Sequence, residues 1–280
     1  MSTPMRRPVT LAHSPDSDDA FMFYALAKGK IDSRGLDVQH VLKDIQALND
    51  DAAKTVYDVT AISFHAYPRV MKNYVLTRAG SSIGDGYGPL VVSKSPGANL
   101  SKATVAVPGK LTTAYLALQL YHPGLKTVVV PFDMIPEAVA DGEADAGLLI
   151  HEGQLTYGDL RLHKVVDLGE WWKRETGLPL PLGGNAVRRS LDEKARRDVN
   201  SIIRDSVKWA LDHRDEALDH ALSYGRGLDR GRGDRFVGMY VNEFTLDLGD
   251  RGEAGLRQLL KRGYEAGIIA DRVEPEFVGG

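Results

Sequence analysis

The sequence predicts a two-lobed α/β protein with mixed, mostly parallel sheets joined by a two-strand hinge. Short apolar runs alternate with amphipathic stretches, the order that parallel strands and their covering helices produce. One strand, loop and helix pattern recurs about ninety residues later in the chain. Two extended segments marked by Pro and Gly, at 87–93 and 178–188, lie between the predicted lobes, and such segments can absorb the backbone rotation of a hinge.

The two copies of the pattern are predicted element by element. The first has a strand at 9–12, the polar loop HSPDSDD and a helix at 20–27. The second has a strand at 104–107, the loop PGKLTT and a helix at 114–121. Each copy continues with a second strand, a second helix and a third strand. We predict these at 37–42, 44–55 and 58–63 in the first copy and at 127–130, 134–140 and 145–150 in the second.

The copies define the predicted domain organisation. Residues 1–92 together with 186–280 form the larger α/β lobe, and residues 93–185 form the smaller one. The last part of the chain is predicted to be mostly helical and to pack on the first lobe. Its helices are expected from a capping-box spacing at 190–193 to about 212, and then at 215–223, 234–244 and 253–266.

Charge and composition exclude several functions. The chain has 280 residues, 35 Lys and Arg against 38 Asp and Glu, a net charge of −3 and no cysteine. Nearly balanced charge argues against nucleic-acid or membrane partners, and thiolate catalysis and cysteine-bound metals are excluded. The Gly- and Arg-rich stretch at 224–235 is expected to be a solvated loop, because it also carries Asp229 and Asp234. No apolar leader follows the basic start, so we expect a cytoplasmic protein.

The expected ligand site is a cleft between the lobes, because ligands of open parallel sheets bind beyond the carboxyl ends of the strands. Two loops from each lobe meet there, at 14–19, 63–67, 109–113 and 151–157. Thr112 and Thr113 open a helix, where hydroxyls and free N–H groups offer a neutral site for a carboxylate, although capping alone also explains them. The acidic run at 16–19 is interpreted as helix capping.

His151 is the candidate catalytic residue. It follows the largely apolar run AGLLI at a predicted strand end, from which a side chain can enter the cleft. An imidazole with a pKa near 6.5 can accept a proton at neutral pH, although a hydrogen-bonded surface histidine is the competing interpretation. No metal site is predicted, because His151 and Glu152 lack the spacing of a zinc-binding helix and no other cluster gives a ligand set by proximity.

Five segments carry a resemblance to a known family. They are HSPDSDDAFMFYAL, VPGKLTTAY, GLLIHEGQLTYGD, DLGEWWKRETGLPLPLGG and YVNEF, in this order between about residues 11 and 249. Together they resemble the menaquinone-biosynthesis enzymes of the futalosine route, and among these the 1,4-dihydroxy-6-naphthoate synthases. The resemblance implies a periplasmic-binding-protein-like type II fold, which agrees with the two-lobed plan predicted from the residues.

The resemblance also implies an activity. A lyase of this family cleaves cyclic dehypoxanthinylfutalosine, a small-molecule carboxylate, to 1,4-dihydroxy-6-naphthoate and a small sugar-derived fragment, without a cofactor. His151 matches the proton acceptor of the family. The positions that match or adjoin its substrate pocket are Ala61, Ile62, Ser63, Thr112, Thr113, Ala114, Asp19 and Asn49. Removal of a proton starts a retro-aldol-type cleavage, which aromatisation of the new ring drives forward.

Two segments depart from the family pattern. The usual loop resembles SPCPNDTF, whereas residues 14–21 here read SPDSDDAF. Where many members have an arginine in a Gly-Arg-Gly turn, this chain has Asp85 between two glycines. Both changes make the cleft less favourable for an anion. We therefore expect the helix start at Thr112 and Thr113, or Lys110, to hold the substrate carboxylate.

Two other functions stay open from the sequence. A non-catalytic solute-binding protein for a small carboxylate has the same fold, and fold alone does not determine function. The missing leader and the missing acylatable cysteine argue against an exported binding protein. A chorismate dehydratase-like sister enzyme also shares the architecture, but the segments HEGQLTY and DSDDAF favour the synthase. The oligomeric state is not determined by the sequence.

Overall fold

The apolar runs of the chain form two mixed β-sheets in the computed structural model, which describes residues 7–225 and 228–279. The strands are β1 (Arg7–His13), β2 (Leu36–Leu42), β3 (Val59–Ser63), β4 (Tyr74–Leu76), β5 (Ser82–Gly84), β6 (Leu90–Ser93), β7 (Thr104–Val107), β8 (Lys126–Val129), β9 (Ala146–Leu149), β10 (His163–Asp167) and β11 (Leu180–Arg188). The first sheet has the order β2-β1-β3-β11-β4, with β5 paired to β11. The second has the order β10-β6-β9-β7-β8.

Helices cover both sheets. They are α1 (Ser17–Ala27), α2 (Ile45–Ala53), α3 (Tyr67–Val70), α4 (Thr113–Tyr121), α5 (Ile135–Asp141), α6 (Gly153–Thr156), α7 (Leu168–Thr176), α8 (Glu193–Asp212), α9 (Arg214–Leu222), α10 (Arg230–Tyr240), α11 (Glu243–Leu246) and α12 (Gly249–Glu265). The predicted loop at 151–157 therefore contains the short helix α6, and it continues into a 3₁₀ turn at Tyr157–Leu160.

The repeated plan predicted from the sequence is present in the structure. In the first sheet β1 lies between β2 and β3 and is parallel to both, and in the second sheet β7 lies in the same way between β8 and β9. The third strand of each copy then has an antiparallel neighbour from a connecting segment. That neighbour is β11 in the first sheet and β6 in the second. The predicted fold class is confirmed.

The C-terminal helices pack mainly on the first sheet, as predicted. Phe21, Val199, Ile203 and Val237 are fully buried in one apolar cluster that joins α1, α8 and α10. Burial of such side chains contributes about 1.5–3 kcal/mol each when they are removed completely from water. The helix α8 begins later than its predicted capping box, because Asp192, and not Ser190, accepts a hydrogen bond from the N–H of Ala195.

The prediction of a solvated loop at 224–235 is wrong for its second half. Residues 226–227 lie outside the described residues, but α10 begins at Arg230, after Asp229 accepts a hydrogen bond from the N–H of Arg232. Arg232 then donates to Asp159, which lies close to the second sheet, with Nη2–Oδ1 at 2.9 Å. An N-cap and a tertiary ion pair order a segment whose composition indicates a loop.

The division into lobes at 1–92, 93–185 and 186–280 stays a prediction. The strands on either side of the predicted boundaries can be assigned to sheets. The strand β6 at Leu90–Ser93 belongs to the second sheet, and the whole of β11 at Leu180–Arg188 belongs to the first. The two connections between the sheets therefore lie just before these strands. Among the described residues, no helix is both long and apolar enough to cross a membrane.

Candidate active site

A cavity opens where the carboxyl ends of the two sheets face each other. It contains about 740 Å³ of space between atoms, its open mouth included. Its walls come from the segments after β1, β3 and β9, from the start of α4, from β11 and from α10. Within the part of the chain that the structure describes, no lysine or arginine lines this cavity.

Most of the predicted site residues lie in the wall of this one cavity. From the first sheet come Asp19, Ala61, Ile62 and Ser63, and from the second come Thr112, Thr113, Ala114 and His151. They are separated by up to 132 positions in the chain (151 − 19), and the fold brings them together. Their individual roles stay predictions.

Asn49 lies behind the wall and not in it. Its side chain is buried and accepts a hydrogen bond from the N–H of Ser63 at 2.8 Å through Oδ1. Its Nδ2 donates to Ser63 Oγ at 3.1 Å. Since Ser63 Oγ accepts from Asn49, its own hydrogen is free to be donated to a ligand. Asn49 therefore contacts the lining of the cavity through Ser63.

His151 is held at the cavity wall by strained backbone and by a carboxylate. Its φ of +52° lies in the left-handed region, which non-glycine residues seldom adopt and which often marks functional sites. Nδ1 lies 2.8 Å from Oδ2 of Asp16, and the ring packs edge-on against Phe132. Nε2 is buried and has no hydrogen-bond partner among the described residues. One ring nitrogen is thus oriented by the protein, and the other is available to a ligand.

Asp16 has two tasks at the start of α1. It is the N-cap residue, and its Oδ1 accepts from the N–H of Asp19 at 3.4 Å, while its Oδ2 faces His151. Burial alone would raise the pKa of Asp16, but the adjacent His151 and the hydrogen bonds that it accepts hold this pKa below its usual range. Asp16 is therefore ionised. For His151, burial opposes the charged form, but the Asp16 carboxylate outweighs it and raises the pKa of the imidazole.

Asp18 and Asp19 behave in the opposite way. Both are acidic residues of the first turn of α1, and both line the cavity. Burial, followed by repulsion from Asp16, raises the pKa of Asp19 to about 8. The same causes, with repulsion from Asp19 and Glu152, raise the pKa of Asp18 well above its usual value. The pKa of Asp16 is thus lowered while those of Asp18 and Asp19 are raised, because the surroundings of these neighbouring carboxyl groups differ.

Hydrogen bonds beside the cavity join the segment after β9 to the start of α1 and to α10. Glu152 Oε1 accepts from the N–H of Ser17 at 3.2 Å and from Ser17 Oγ at 2.9 Å. On α10, the hydroxyl of Tyr240 lies 2.7 Å from the side-chain amide of Gln154. These contacts hold the segment after β9 against the first sheet, and they describe a closed cleft.

The start of α4 forms the neutral side of the cavity. Thr112 caps the helix by accepting from the N–H of Tyr115, and Thr113 Oγ1 accepts from the N–H of His65 at 3.1 Å. Thr113 and Ala114, which line the cavity, belong to the first turn, whose N–H groups have no partner within a helix. Lys110, the alternative predicted holder of a carboxylate, is exposed and is not among the lining residues.

The expected effect of Asp85 on a bound anion needs correction. Its carboxylate lies 2.6 Å from Lys173 Nζ and 3.0 Å from an Arg251 guanidinium nitrogen. Asp85 is not among the residues that line the cavity. Two cations thus compensate its charge outside the site.

One cluster has the spacing of a metal site. Asp16, Asp18 and His151 each offer one possible ligand atom, and these atoms lie within 4.8 Å of one another. The sequence gives no hint of it, because 135 positions (151 − 16) separate the histidine from the first carboxylate. Two of the three groups already pair with each other at 2.8 Å, so the spacing by itself assigns no metal.

Several lining residues were not singled out from the sequence. They are Gln154, Phe236, Tyr240 and the β11 residues Gly183, Gly184 and Asn185. Four of these residues lie in segments that carry the resemblance: Gln154 in HEGQLTY, Tyr240 at the start of YVNEF, and Gly183 and Gly184 at the end of DLGEWWKRETGLPLPLGG. A signal was therefore present for these four residues, without a role attached to it.

Comparison with known proteins identifies the family. The model of a family described as menaquinone biosynthesis matches residues 9–265. The chain belongs to this family. A 1,4-dihydroxy-6-naphthoate synthase of Thermus thermophilus is 42% identical over 268 residues, which cover 96% of this chain and 98% of the relative. A relative of the same name from Streptomyces coelicolor is 40% identical, with 92% and 94% of the two chains covered.

Solved structures place this member of the menaquinone-biosynthesis family in a wider fold group. A protein from Archaeoglobus fulgidus is 46% identical, with 94% of this chain and 98% of that chain covered and a TM-score of 0.91. The alkanesulfonate-binding protein from Xanthomonas axonopodis pv. citri is only 11% identical, yet it covers 98% of this chain, has 97% of its own length covered and gives a TM-score of 0.73. The latter similarity shows the fold alone, and it agrees with the predicted periplasmic-binding-protein-like type II fold.

Proposed function

We propose that this chain is a 1,4-dihydroxy-6-naphthoate synthase, a carbon–carbon lyase that converts cyclic dehypoxanthinylfutalosine to 1,4-dihydroxy-6-naphthoate in menaquinone biosynthesis. The observation that carries the proposal is an oriented histidine, His151, in the cavity of a chain that is 40–42% identical to two relatives of that name. The substrate is a small molecule. No metal or cofactor enters the proposed steps.

His151 is the proposed general base. With Nδ1 toward Asp16, the neutral imidazole presents the unprotonated Nε2 to the ligand. Nε2 takes the proton of a substrate hydroxyl, and the oxygen forms the C=O of the departing fragment as the adjoining carbon–carbon bond breaks. The electron pair of that broken bond enters the ring that becomes aromatic. The carboxylate of Asp16 stabilises the imidazolium formed in this step. A base of this kind contributes about 10²–10⁴-fold to the rate.

The charges of the cavity suggest how the substrate lies in it. The start of α1 carries the ionised carboxylate of Asp16, which disfavours an anion. The start of α4 is neutral and has free first-turn N–H groups at Thr113 and Ala114, which favour one. We therefore place the substrate carboxylate at α4 and the bond that breaks beside His151.

The strand end after β3 is the proposed second binding element. Ala61 and Ile62 supply apolar surface, and Ser63 offers the hydroxyl hydrogen that Asn49 leaves free. Asp19 lines the same wall, and its Oδ2 accepts from the N–H of Ser14 at 2.7 Å. These groups would fix the orientation of the substrate, which the rate of a positioned reaction requires.

The test is turnover of the cyclic compound by the purified protein. Formation of 1,4-dihydroxy-6-naphthoate, followed by mass and fluorescence, is expected for the wild type, and His151→Gln is expected to lower kcat at least 100-fold. His163→Gln changes an exposed histidine on β10 and is the matched control. Undiminished turnover by a folded His151→Gln protein would remove the general-base role.

The competing functions give different results in the same assay. Tight binding of the cyclic compound without any product would favour a solute-binding protein, and dehydration of chorismate would favour the sister enzyme. A cytoplasmic location is part of the proposal, since it rests on the biosynthetic assignment. Fractionation of cells that produce the protein tests this location directly.

A further inference from the structure

The side-chain amide of Gln154 has one orientation that satisfies its neighbours. Gln154 lies on α6, shortly after His151, and it is buried in the cavity wall. The carbonyl oxygen of Gly88 lies 2.7 Å from one end of the amide, and the backbone N–H of His151 has its nitrogen 3.3 Å from the other end. A carbonyl oxygen can only accept a hydrogen bond, and an N–H can only donate one. The amide nitrogen therefore faces Gly88, and the amide oxygen faces the backbone of His151.

This orientation decides how the hydroxyl of Tyr240 is used. The hydroxyl oxygen lies 2.7 Å from the amide nitrogen of Gln154. Since an amide nitrogen can only donate, the hydroxyl accepts a hydrogen bond there. The amide oxygen is farther away, at 3.0 Å, and it already receives the N–H of His151. The hydrogen of the Tyr240 hydroxyl is therefore available to a stronger acceptor in the cavity.

Tyr240 lies where a ligand can use this hydrogen. It is the last residue of α10, it is 3% exposed, and it belongs to the lining of the cavity. A single amide, that of Gln154, connects its hydroxyl to the backbone of His151. Burial raises the pKa of Tyr240, so the phenol stays protonated at neutral pH and can donate. In the described part of the lining, no lysine or arginine competes with it for an anionic oxygen.

We propose that Tyr240 is a further catalytic residue, which donates a hydrogen bond to the substrate oxygen that gains negative charge when the carbon–carbon bond breaks. The inference rests on the proposed function, because this oxygen gains its charge only in that reaction. As His151 removes the hydroxyl proton, the C=O of the departing fragment forms, and the electron pair of the broken bond moves onto a ring carbonyl, whose oxygen becomes a naphtholate. Tyr240 keeps its own proton. The proton that His151 took returns to the naphtholate through water, so the cleavage needs no other reactant.

The physical advantage lies in the difference between the two states of this oxygen. A buried donor stabilises a developing negative charge more than it stabilises a neutral carbonyl, so it lowers the barrier. The hydrogen bond that Tyr240 accepts from Gln154 also polarises its O–H group and makes it a better donor. The cavity then has one group for each charge: the start of α4 for the carboxylate, His151 for the proton and Tyr240 for the naphtholate oxygen.

Tyr240→Phe removes the donor and keeps the ring, and turnover of the cyclic compound is the assay. The loss of one donor of this kind is expected to lower kcat about 100-fold. The KM is expected to change less than about threefold, because the hydrogen bond forms mainly in the transition state. A Tyr240→Phe protein with the wild-type circular dichroism spectrum and undiminished kcat would overturn the proposal.

Tyr74→Phe is the matched control for the loss of a buried hydroxyl. The hydroxyl of Tyr74 donates to the backbone oxygen of Tyr57 at 2.6 Å, and Tyr74 does not line the cavity. Its kcat is expected to stay within about twofold of the wild-type value. A fall in kcat as large as that of Tyr240→Phe would show a general effect of buried hydroxyls and would overturn the catalytic role.

Gln154→Glu tests the direction of the hydroxyl without removing it. An ionised carboxylate here only accepts, and a protonated one uses its single hydrogen for the Gly88 carbonyl, so in both states the glutamate takes the hydrogen of Tyr240 away from the substrate. We expect kcat to fall about as far as in Tyr240→Phe, and we expect the double variant to be no slower than either single variant. Losses that multiply in the double variant would overturn the assigned direction of the hydroxyl.

The bound product gives a readout that a purely structural role would not change. Absorbance titration of 1,4-dihydroxy-6-naphthoate bound to each protein, under argon, gives the pKa of its ring hydroxyl. A donor to the naphtholate lowers this pKa, which is expected to be about 1 unit lower on the wild type than on Tyr240→Phe. Equal values would overturn the proposal. Failure of the proposed function has a different result, since the wild type itself would then form no naphthoate and both proposals would be wrong.

Discussion

Asn49 offers a quantitative test of how the wall of the cavity is held. In Asn49→Ala, the N–H of Ser63 loses its acceptor at 2.8 Å and Ser63 Oγ loses a donor at 3.1 Å. Both residues are at least 97% buried, so water does not readily replace these partners. An unsatisfied buried polar group costs about 1–3 kcal/mol. With about 2.1 cal/mol/K per residue of unfolding entropy over 280 residues, this loss lowers Tm by about 2–5 °C.

The same substitution is expected to affect binding more than chemistry. Ser63 would no longer be held in the orientation that donates to the ligand, and loss of one hydrogen bond of about 1 kcal/mol raises KM about fivefold. Calorimetry and steady-state kinetics measure the two effects. Asn73→Ala removes an exposed hydrogen bond to Thr55 and is the control, with an expected change within about 0.5 kcal/mol. An Asn49→Ala protein with unchanged Tm and KM would refute the role assigned to Asn49.

Three other predictions use the same structure. Asp19 has a pKa of about 8 in the folded state, against its ordinary value of 3.8 in the unfolded chain. Between about pH 4 and 8 the folded state therefore binds a proton that the unfolded state does not, so the free energy of unfolding falls as the pH rises. Asp19→Asn should remove up to about 1.4 kcal/mol per pH unit of this slope in urea unfolding, and an unchanged slope would contradict the raised pKa. Tyr240→Phe removes the hydroxyl that contacts Gln154 and should lower the free energy of unfolding by about 1–2 kcal/mol. An unchanged free energy of unfolding in urea would contradict this contact. Small-angle scattering should show a smaller radius of gyration with the naphthoate product than without it, since ligand holds the contacts across the cleft closed, and an equal radius would indicate a cleft that is closed from the start.

The elements that the sequence predicts well are those set by local patterns. The strand β7 lies at Thr104–Val107 as predicted, because four consecutive residues with three apolar side chains are followed at once by a Pro-Gly turn. For the helix α10 the sequence predicts a start at residue 234, four residues too late, since glycines and arginines at 230–233 are poor indicators of a helix. Its start depends on the Asp229 cap and on burial of Phe236 and Val237 against other helices, and tertiary contacts of this kind override local preference.

The site was predicted only in part for a related reason. A histidine at a strand end is recognisable in the sequence, and the rule for parallel sheets indicates which end of the strand faces the cleft. The local sequence predicts that Asp16 is a helix cap, and it is one. Its contact with His151 depends on how two sheets meet across 135 positions of chain, and no local pattern encodes that distance.

The repeated plan explains why one cavity has two chemically different ends. In each copy the first strand leads into a helix whose N-cap side chain accepts a hydrogen bond from the N–H three residues on: Asp16 from Asp19 at α1, and Thr112 from Tyr115 at α4. The backbone offers the same positive helix end twice. At α1 the positive helix end stabilises the negative charge of its own cap residue, Asp16, beside His151. At α4 the cap residue Thr112 is neutral, so the positive helix end can bind the anion of a ligand. In the proposed mechanism, the choice of cap residue thus decides which helix start supplies the carboxylate that pairs with His151 and which helix start is left open to the substrate carboxylate.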